Sequence, residues 1–265
     1  MSTERTIPEL FDLSGKTALI SGAGGWLGSA MSRALAEAGA NVITTSRNAG
    51  RAAECAAALP KREGQTHRGV ALDHLDGASI ETGFAEALDL AGRIDILVNN
   101  GHAANASDLS TVTGEEFNRS LANATGYFLL ARKLRDHAVE RGGGASVVLI
   151  GSMYGVVGSY PDAYEGLVQA SPVAYHALKG GIVHMTRHLA VYWAKDGVRV
   201  NCLSPGPFPG PAANPGMVER LTAKSPMGRM GQPEELKGAL VFLASEAGSY
   251  VTGQNLLVDG GWTAW

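Results

Sequence analysis

Thr17-Ala-Leu-Ile-Ser21 runs directly into Gly22-Ala-Gly-Gly-Trp-Leu-Gly28, and from Leu27 to Ala38 apolar residues recur at 27, 30, 31, 34, 35 and 38. That spacing marks one buried face of a helix, and Gly39 is its stop. Strand, glycine turn and helix, in this order, open a doubly wound α/β sheet. Glycines at 22, 25 and 28 let the backbone turn sharply and let a pyrophosphate rest on the free N–H groups of the helix N-terminus. A glycine-rich turn alone says little; its place between a first strand and a helix is what gives it weight.

Outward from this stretch, β-rich runs recur at Asn41–Thr45, Gly69–Leu72, Ile94–Asn99, Ser146–Ile150, Arg199–Ser204 and Asn255–Val258. They are apolar on both sides of the alternation, as parallel strands covered on both faces must be. Helical patterns lie between them, and no linker or repeat interrupts the series. The expected fold class is α/β: one doubly wound Rossmann domain over residues 1–265, with a seven-stranded parallel sheet flanked by helices. One helix is signposted by Ser171-Pro172, read as N-cap and first-turn proline, and runs to Lys195 before Gly197. Tyr175 and Lys179 are four apart on it and share a face.

Lys plus Arg total 22 and Asp plus Glu 25, a net charge of −3. That balance argues against a nucleic-acid footprint or a polybasic membrane patch. No apolar run approaches the ~20 residues of a membrane span. The 35 glycines are about twice the usual ~7% share, so many must serve turns and close backbone approaches. Cys55 and Cys202 have no C-x-x-C partner and read as buried free thiols in a reduced compartment. Met1–Pro8 lacks the apolar stretch of a secretion signal, and a cytoplasmic location is expected.

The second strand ends Thr44-Thr45-Ser46-Arg47-Asn48. A site selecting NAD wants a carboxylate here for the ribose 2′-OH, and none is present. Arg47 would instead pair with a 2′-phosphate, a charge-assisted contact of about 1.5–3 kcal/mol, or roughly 10- to 150-fold. NADP(H) is therefore the expected preference, with NAD(H) as the other candidate; the bland reading of Arg47 is a solvated surface residue.

Further pieces follow in order: Asp73 in Asp-His-Leu-Asp76, Asn99-Asn100, Asn123, Ser152, Tyr175-x-x-x-Lys179, Asn201-x-x-x-Pro205-Gly206, and Thr252-Gly253-Gln254…Val258-Asp259-Gly260-Gly261. With the glycine loop, they make the chain resemble a classical short-chain dehydrogenase/reductase from Leu13 to about Gly261. The resemblance implies an oxidoreductase that interconverts a secondary alcohol and a ketone. In it Tyr175 is the general acid/base, and Lys179 supplies the cation that a phenol of pKa near 10 needs to work as a base, and holds the nicotinamide ribose. Ser152 polarises the substrate oxygen. Asn123 anchors a water that extends the proton relay through Lys179. Cofactor contacts are implied at Gly22, Gly25, Trp26, Leu27, Gly28, Ser46, Arg47, Asp73 (to adenine), Asn99 (to the strand and ribose), Tyr175, Lys179, Pro205 and Gly206. Homotetramers built on the long helices and the C-terminal segment are common in the family.

Four places depart from the family pattern. Trp26 stands where the classical loop has its middle glycine, and the spacing resembles that of extended family members; the indole is expected near the loop. Asn-Asn-Ala-Gly has become Asn99-Asn100-Gly101-His102, which puts His102 close to the cofactor; a structural role is the favoured reading, and contact with substrate is the alternative carried as a site candidate. Ser152 and Tyr175 are about ten residues further apart than usual. The insertion, about 159–171, carries Tyr160, Asp162, Tyr164, Glu165 and Gln169 as groups able to bind hydroxyls. Gly210 replaces a common threonine in a proline-stiffened substrate loop over about 205–225. His102, Tyr160, Tyr164 and Phe208 are the substrate candidates, and a sugar, polyol or sugar acid is the expected small-molecule class. A 3-oxoacyl thioester reductase, a non-catalytic cofactor-sensing protein, and an epimerase or dehydratase of the extended type are the alternatives. His184 and His188, four apart, have no intervening glutamate and no third ligand, so no metal is expected. The terminal Trp262 and Trp265 are read as tucked into an interface or cleft, or else frayed.

Overall fold

In the computed structural model, which describes residues 4–104 and 109–264, seven parallel strands form one sheet in the order β3-β2-β1-β4-β5-β6-β7. The strands are β1 Thr17–Ser21, β2 Asn41–Ser46, β3 His67–Ala71, β4 Ile96–Asn99, β5 Ala145–Ile150, β6 Val198–Pro205 and β7 Asn255–Val258. All seven expected runs are strands, two with the expected ends and the others with ends shifted by one or two residues. Between and around them lie α1 Ile7–Phe11, α2 Trp26–Glu37, α3 Ala49–Ala57, α4 Gly77–Ala91, α5 Gly114–Glu140, α6 Pro161–Tyr164, α7 Val173–Trp193, α8 Pro215–Thr222 and α9 Lys237–Ala244.

Successive strand side chains point to opposite faces, and each face meets its own helices. Leu19, Ile43, Leu97 and Val147 pack with Phe84, Tyr127, Leu134 and Ile182 of α4, α5 and α7. Ala18, Ile20, Val42 and Val98 pack with Met31, Leu35, Leu240 and Leu243 of α2 and α9. The order reverses between β1 and β4, so a crevice opens above their carboxyl ends, the usual ligand position in such sheets.

Local signals explain several boundaries. Thr113 and Glu116 make a reciprocal capping box at the start of α5, with Thr113 N–H donating to Glu116 Oε2 at 2.9 Å. The start of α7 differs from expectation: Pro172, at ψ 130°, is the N-cap. The Ser171 hydroxyl instead bonds His176 Nε2 at 3.1 Å, so it caps nothing. Cys202 is a buried free thiol, but Cys55, on α3 with its Sγ against Gly24 of the glycine loop, is only half-buried. His184 and His188 are both exposed on α7, the latter against Tyr192. Trp262 is buried, its ring 5.5 Å from that of Tyr160; Trp265 lies outside the described residues. Among the described residues no helix is long and apolar enough to cross a membrane.

Candidate active site

The crevice at the β1/β4 switch is a cleft of about 550 Å³. Gly22, Gly25, Trp26, Leu27 and Gly28 form one wall, and Ser46, Arg47 and Asp73 form the far end. Gly22 has φ +66°, which a side chain would strain. A Cβ on Gly28 would lie 2.0 Å from the Gly22 carbonyl oxygen. Asn100 Nδ2 donates to that same carbonyl at 3.0 Å and to the Ser21 carbonyl at 3.2 Å. These contacts turn the loop's carbonyls inward, and among the described residues no side chain caps the first-turn amides of α2. The result is a cradle of N–H groups at a helix N-terminus with no Cβ in the way, which fits a dinucleotide pyrophosphate. The Trp26 indole is half-exposed and reaches Gly210 of the opposite loop, where a Cβ would meet its ring at 3.7 Å.

Two cations stand at the β2 end. Arg47 is exposed there, as the sequence reading placed it, and Arg51 joins it one turn into α3, with Nη2 3.5 Å from the Gly24 carbonyl. Arg51 was missed because it lies beyond the strand end where selectivity is usually read. Its signal was Asn48, which caps α3 by accepting from the Arg51 N–H at 2.9 Å and so turns Arg51 toward the cleft.

Three of the expected cofactor residues lie elsewhere. Asn99 is fully buried and donates to the Tyr127 carbonyl at 2.9 Å, tying β4 to α5; the neighbouring Asn100 lines the cleft instead. Strand alternation sends the two side chains in opposite directions. Pro205 pairs with Val258, and a Cβ on Gly206 would lie 2.4 Å from Asp259 Cα, so this pair serves the β6–β7 crossing.

His74 explains one departure. Its Nε2 donates to Asn123 Oδ1 at 2.8 Å, because a carboxamide oxygen can only accept. Its other edge fills the space beside residue 101, where a Cβ would be 2.9 Å from Nδ1. Glycine at 101 is what makes room for this imidazole. Asn123 also accepts from Ala103 N–H at 2.9 Å and donates to the Ser120 and Ala103 carbonyls at 2.9 and 3.3 Å. Its side-chain amide is fully engaged by protein groups, so the side chain itself has no free valence for a relay water.

Ser152, Tyr175 and Lys179 converge from β5 and α7. Ser152 follows the end of β5 in extended backbone, and its Oγ accepts from the Tyr154 N–H at 3.1 Å, which leaves its own proton to donate. Burial raises the Tyr175 phenol above its ordinary pKa, against a hydrogen bond from Ser152 that lowers it. The phenol in this state is a proton donor. Lys179 is buried under Tyr175, with Nζ 5.5 Å from the ring centre and donating to the Ile150 carbonyl at 2.8 Å. Burial pushes its pKa down to about 8.

That burial has a measurable cost. Lys179 binds its proton more weakly folded than unfolded, so it lowers stability below pH 8, and the penalty fades as pH rises from 8 toward its ordinary 10.5. Lys179→Met is expected to raise the thermal midpoint at pH 6–7 while ending turnover, with the gain shrinking above pH 8. A midpoint lower than wild type across that range would contradict it.

Tyr160, Asp162 and Tyr164 of the insertion are engaged by other protein groups. Tyr164 is buried with its hydroxyl 2.6 Å from that of Tyr154, and Tyr160 packs on Trp262 beneath the Lys224 ammonium. Asp162 pairs with Lys224 at 2.7 Å. Two tyrosines read as hydroxyl binders thus build a wall, against which Tyr175 packs. Phe208 wedges on Gly231, where a Cβ would meet its ring at 2.5 Å, and faces a separate small pocket. His102, another of the four substrate candidates, meets the Tyr175 ring edge-on, 5.4 Å away at 70°.

A dinucleotide cradle joined to a Ser–Tyr–Lys constellation defines a nucleotide-dependent oxidoreductase of the single-sheet type. A family profile described as enoyl-(acyl carrier protein) reductase matches residues 22–263. The chain is 36% identical to a galactitol 2-dehydrogenase (L-tagatose-forming) of Cereibacter sphaeroides, covering 97% of this chain and 98% of the other. It is 35% identical to a D-threitol dehydrogenase of Mycolicibacterium smegmatis, over 96% and 95% of the two chains. A gluconate 5-dehydrogenase from Burkholderia cenocepacia, solved with NADP and tartrate, superposes with a TM-score of 0.85 at 30% identity, over 98% of this chain and 100% of that one. The chain belongs to the short-chain dehydrogenase/reductase family, and by that membership it is an oxidoreductase acting on CH–OH groups.

Proposed function

We propose that the protein is an NADP(H)-preferring dehydrogenase/reductase that interconverts a secondary alcohol and a ketone on a polyhydroxylated small molecule. The convergence of Ser152, Tyr175 and Lys179 beside the dinucleotide cleft carries the reading. When bound, the nicotinamide supplies or accepts the hydride. Ser152 donates to the substrate oxygen, and Tyr175 gives that oxygen a proton or removes it. Lys179 stabilises the phenolate left behind and offers its remaining N–H groups to a ribose. The polyol and sugar-acid dehydrogenases among the relatives support the substrate class over an acyl thioester.

Arg47 and Arg51 support the NADP(H) preference. A fluorescence titration tests it: Arg47→Ser and Arg51→Ser are each expected to weaken NADPH binding about tenfold and leave NADH unchanged. Equal losses for both cofactors would sink the preference. The same proposal has one domain over residues 1–265, with the 159–171 and 205–225 segments as its substrate walls. It also includes a cytoplasmic homotetramer, supported by the free cysteines and by exposed Val191 and Tyr192 on α7; light scattering checks the assembly.

A further inference from the structure

We infer that the substrate taken at Tyr175 is an uncharged polyol or ketose, not a sugar acid, and that the His102 imidazole receives one of its non-reacting hydroxyls. This rests on the dehydrogenase reading above and narrows it.

The first observation is where His102 lies. Gly101, His102 and Ala103 close the inner end of the dinucleotide cleft, and the His102 ring meets the Tyr175 ring edge-on at 5.4 Å. A side chain at this junction borders both the cofactor end and the proton-transferring phenol. Among the described residues, no hydrogen-bond partner of its ring nitrogens is found. The crowded cleft wall, then the Lys179 ammonium and then His74, push its pKa down to about 4. The imidazole is neutral at neutral pH. It then carries one N–H donor and one lone-pair acceptor, the two functions that a single hydroxyl complements.

The second observation is the charge of the wall around Tyr175. Lys224 is paired with Asp162 at 2.7 Å and lies over the Tyr160 ring. Arg220 is held by the main-chain carbonyls of Asp162 and Glu165, at 3.0 and 2.7 Å. Arg229 forks onto Glu235 at 2.8 and 2.6 Å. Lys179 is buried on the Ile150 carbonyl beneath the phenol. Among the described residues, the cations carried on or behind this wall, Lys224, Arg220 and Arg229, are thus each held by protein acceptors, and Asp162 is neutralised by Lys224. A substrate carboxylate would lose its water here without gaining a partner, whereas a hydroxyl finds both a donor and an acceptor on one ring.

The test is steady-state oxidation with NADP⁺ of alditols and aldonates of matched chain length, galactitol and gluconate being the first pair. Wild type is expected to favour the alditol in kcat/KM by tenfold or more. His102→Ala should lower kcat/KM on the alditol about tenfold, mainly through KM, but on 2-propanol, which has no second hydroxyl, by less than threefold. His102→Gln, which keeps a donor and an acceptor, should recover most of the loss. His102→Arg should shift the alditol-to-aldonate ratio toward the acid by tenfold or more. A wild type that favours the aldonate, or a His102→Ala loss equal on the alditol and 2-propanol, overturns the inference. Failure of the dehydrogenase reading shows separately, as wild-type turnover that survives Tyr175→Phe.

Discussion

Tyr175→Phe is expected to lower kcat by about 10³-fold while NADPH affinity stays within threefold of wild type. The substitution removes one oxygen atom from a ring that packs between His102 and the aromatic wall of Met153, Tyr154 and Tyr164. No sizeable cavity opens, and Ser152, which loses its hydrogen bond to the phenol, keeps the bond it accepts from the Tyr154 N–H. The fold should therefore be unaffected. What disappears is the proton donor, and general acid–base groups of this kind contribute about 10²- to 10⁴-fold. Burial matters for the direction of the effect. It holds the phenol protonated, so ketone reduction should suffer at all accessible pH values, while alcohol oxidation in wild type should rise with pH. Stopped-flow single turnovers separate loss of chemistry from loss of binding. A variant retaining a tenth of wild-type kcat would show that another group moves the proton.

The second large effect is expected from Gly28→Ala. The added methyl would lie 2.0 Å from the Gly22 carbonyl oxygen and 2.7 Å from Asn100 Nδ2. The first is backbone, and the second already bonds two loop carbonyls, so neither can step aside cheaply. Overpacking of this kind costs about 1–3 kcal/mol. Much of it should appear as a cradle pushed out of shape, weakening NADPH about 10- to 100-fold. Gly181→Ala is the control: it lies in α7 with nothing within 4 Å of the added carbon, and it should leave binding unchanged and stability equal or slightly higher. Trp26, in the loop itself, is a convenient fluorophore for the titration. NADPH binding by Gly28→Ala as tight as by Gly181→Ala would show that the loop is not the anion cradle.

The alternation of short apolar runs with helical patterns determined the α/β architecture, because parallel strands buried on both faces leave a mark that needs no tertiary information. The glycines of the loop were equally legible, since their spacing reflects local turns and a helix N-terminus. Tyr175 and Lys179 came together in the same way: an i, i+4 pair shares a helix face whatever the helix packs against. Other parts of the site depend on the direction in which a side chain leaves the backbone and on what it meets there. Asn99 and Asn100 are consecutive, yet one ties β4 to α5 and the other holds the glycine loop. Arg51 reaches the cleft only because α3 starts at a particular angle after Asn48. The need for glycine at 101 comes from His74, far away in the chain. The insertion's tyrosines looked polar in sequence, but the fold pairs Tyr164 with Tyr154 and seats Tyr160 on Trp262. A hydroxyl or amide can be satisfied by substrate or by protein, and only packed neighbours decide which. Local periodicity therefore determined the frame and the proton-transferring pair, whereas contacts between distant segments decided which groups remain free to meet a ligand.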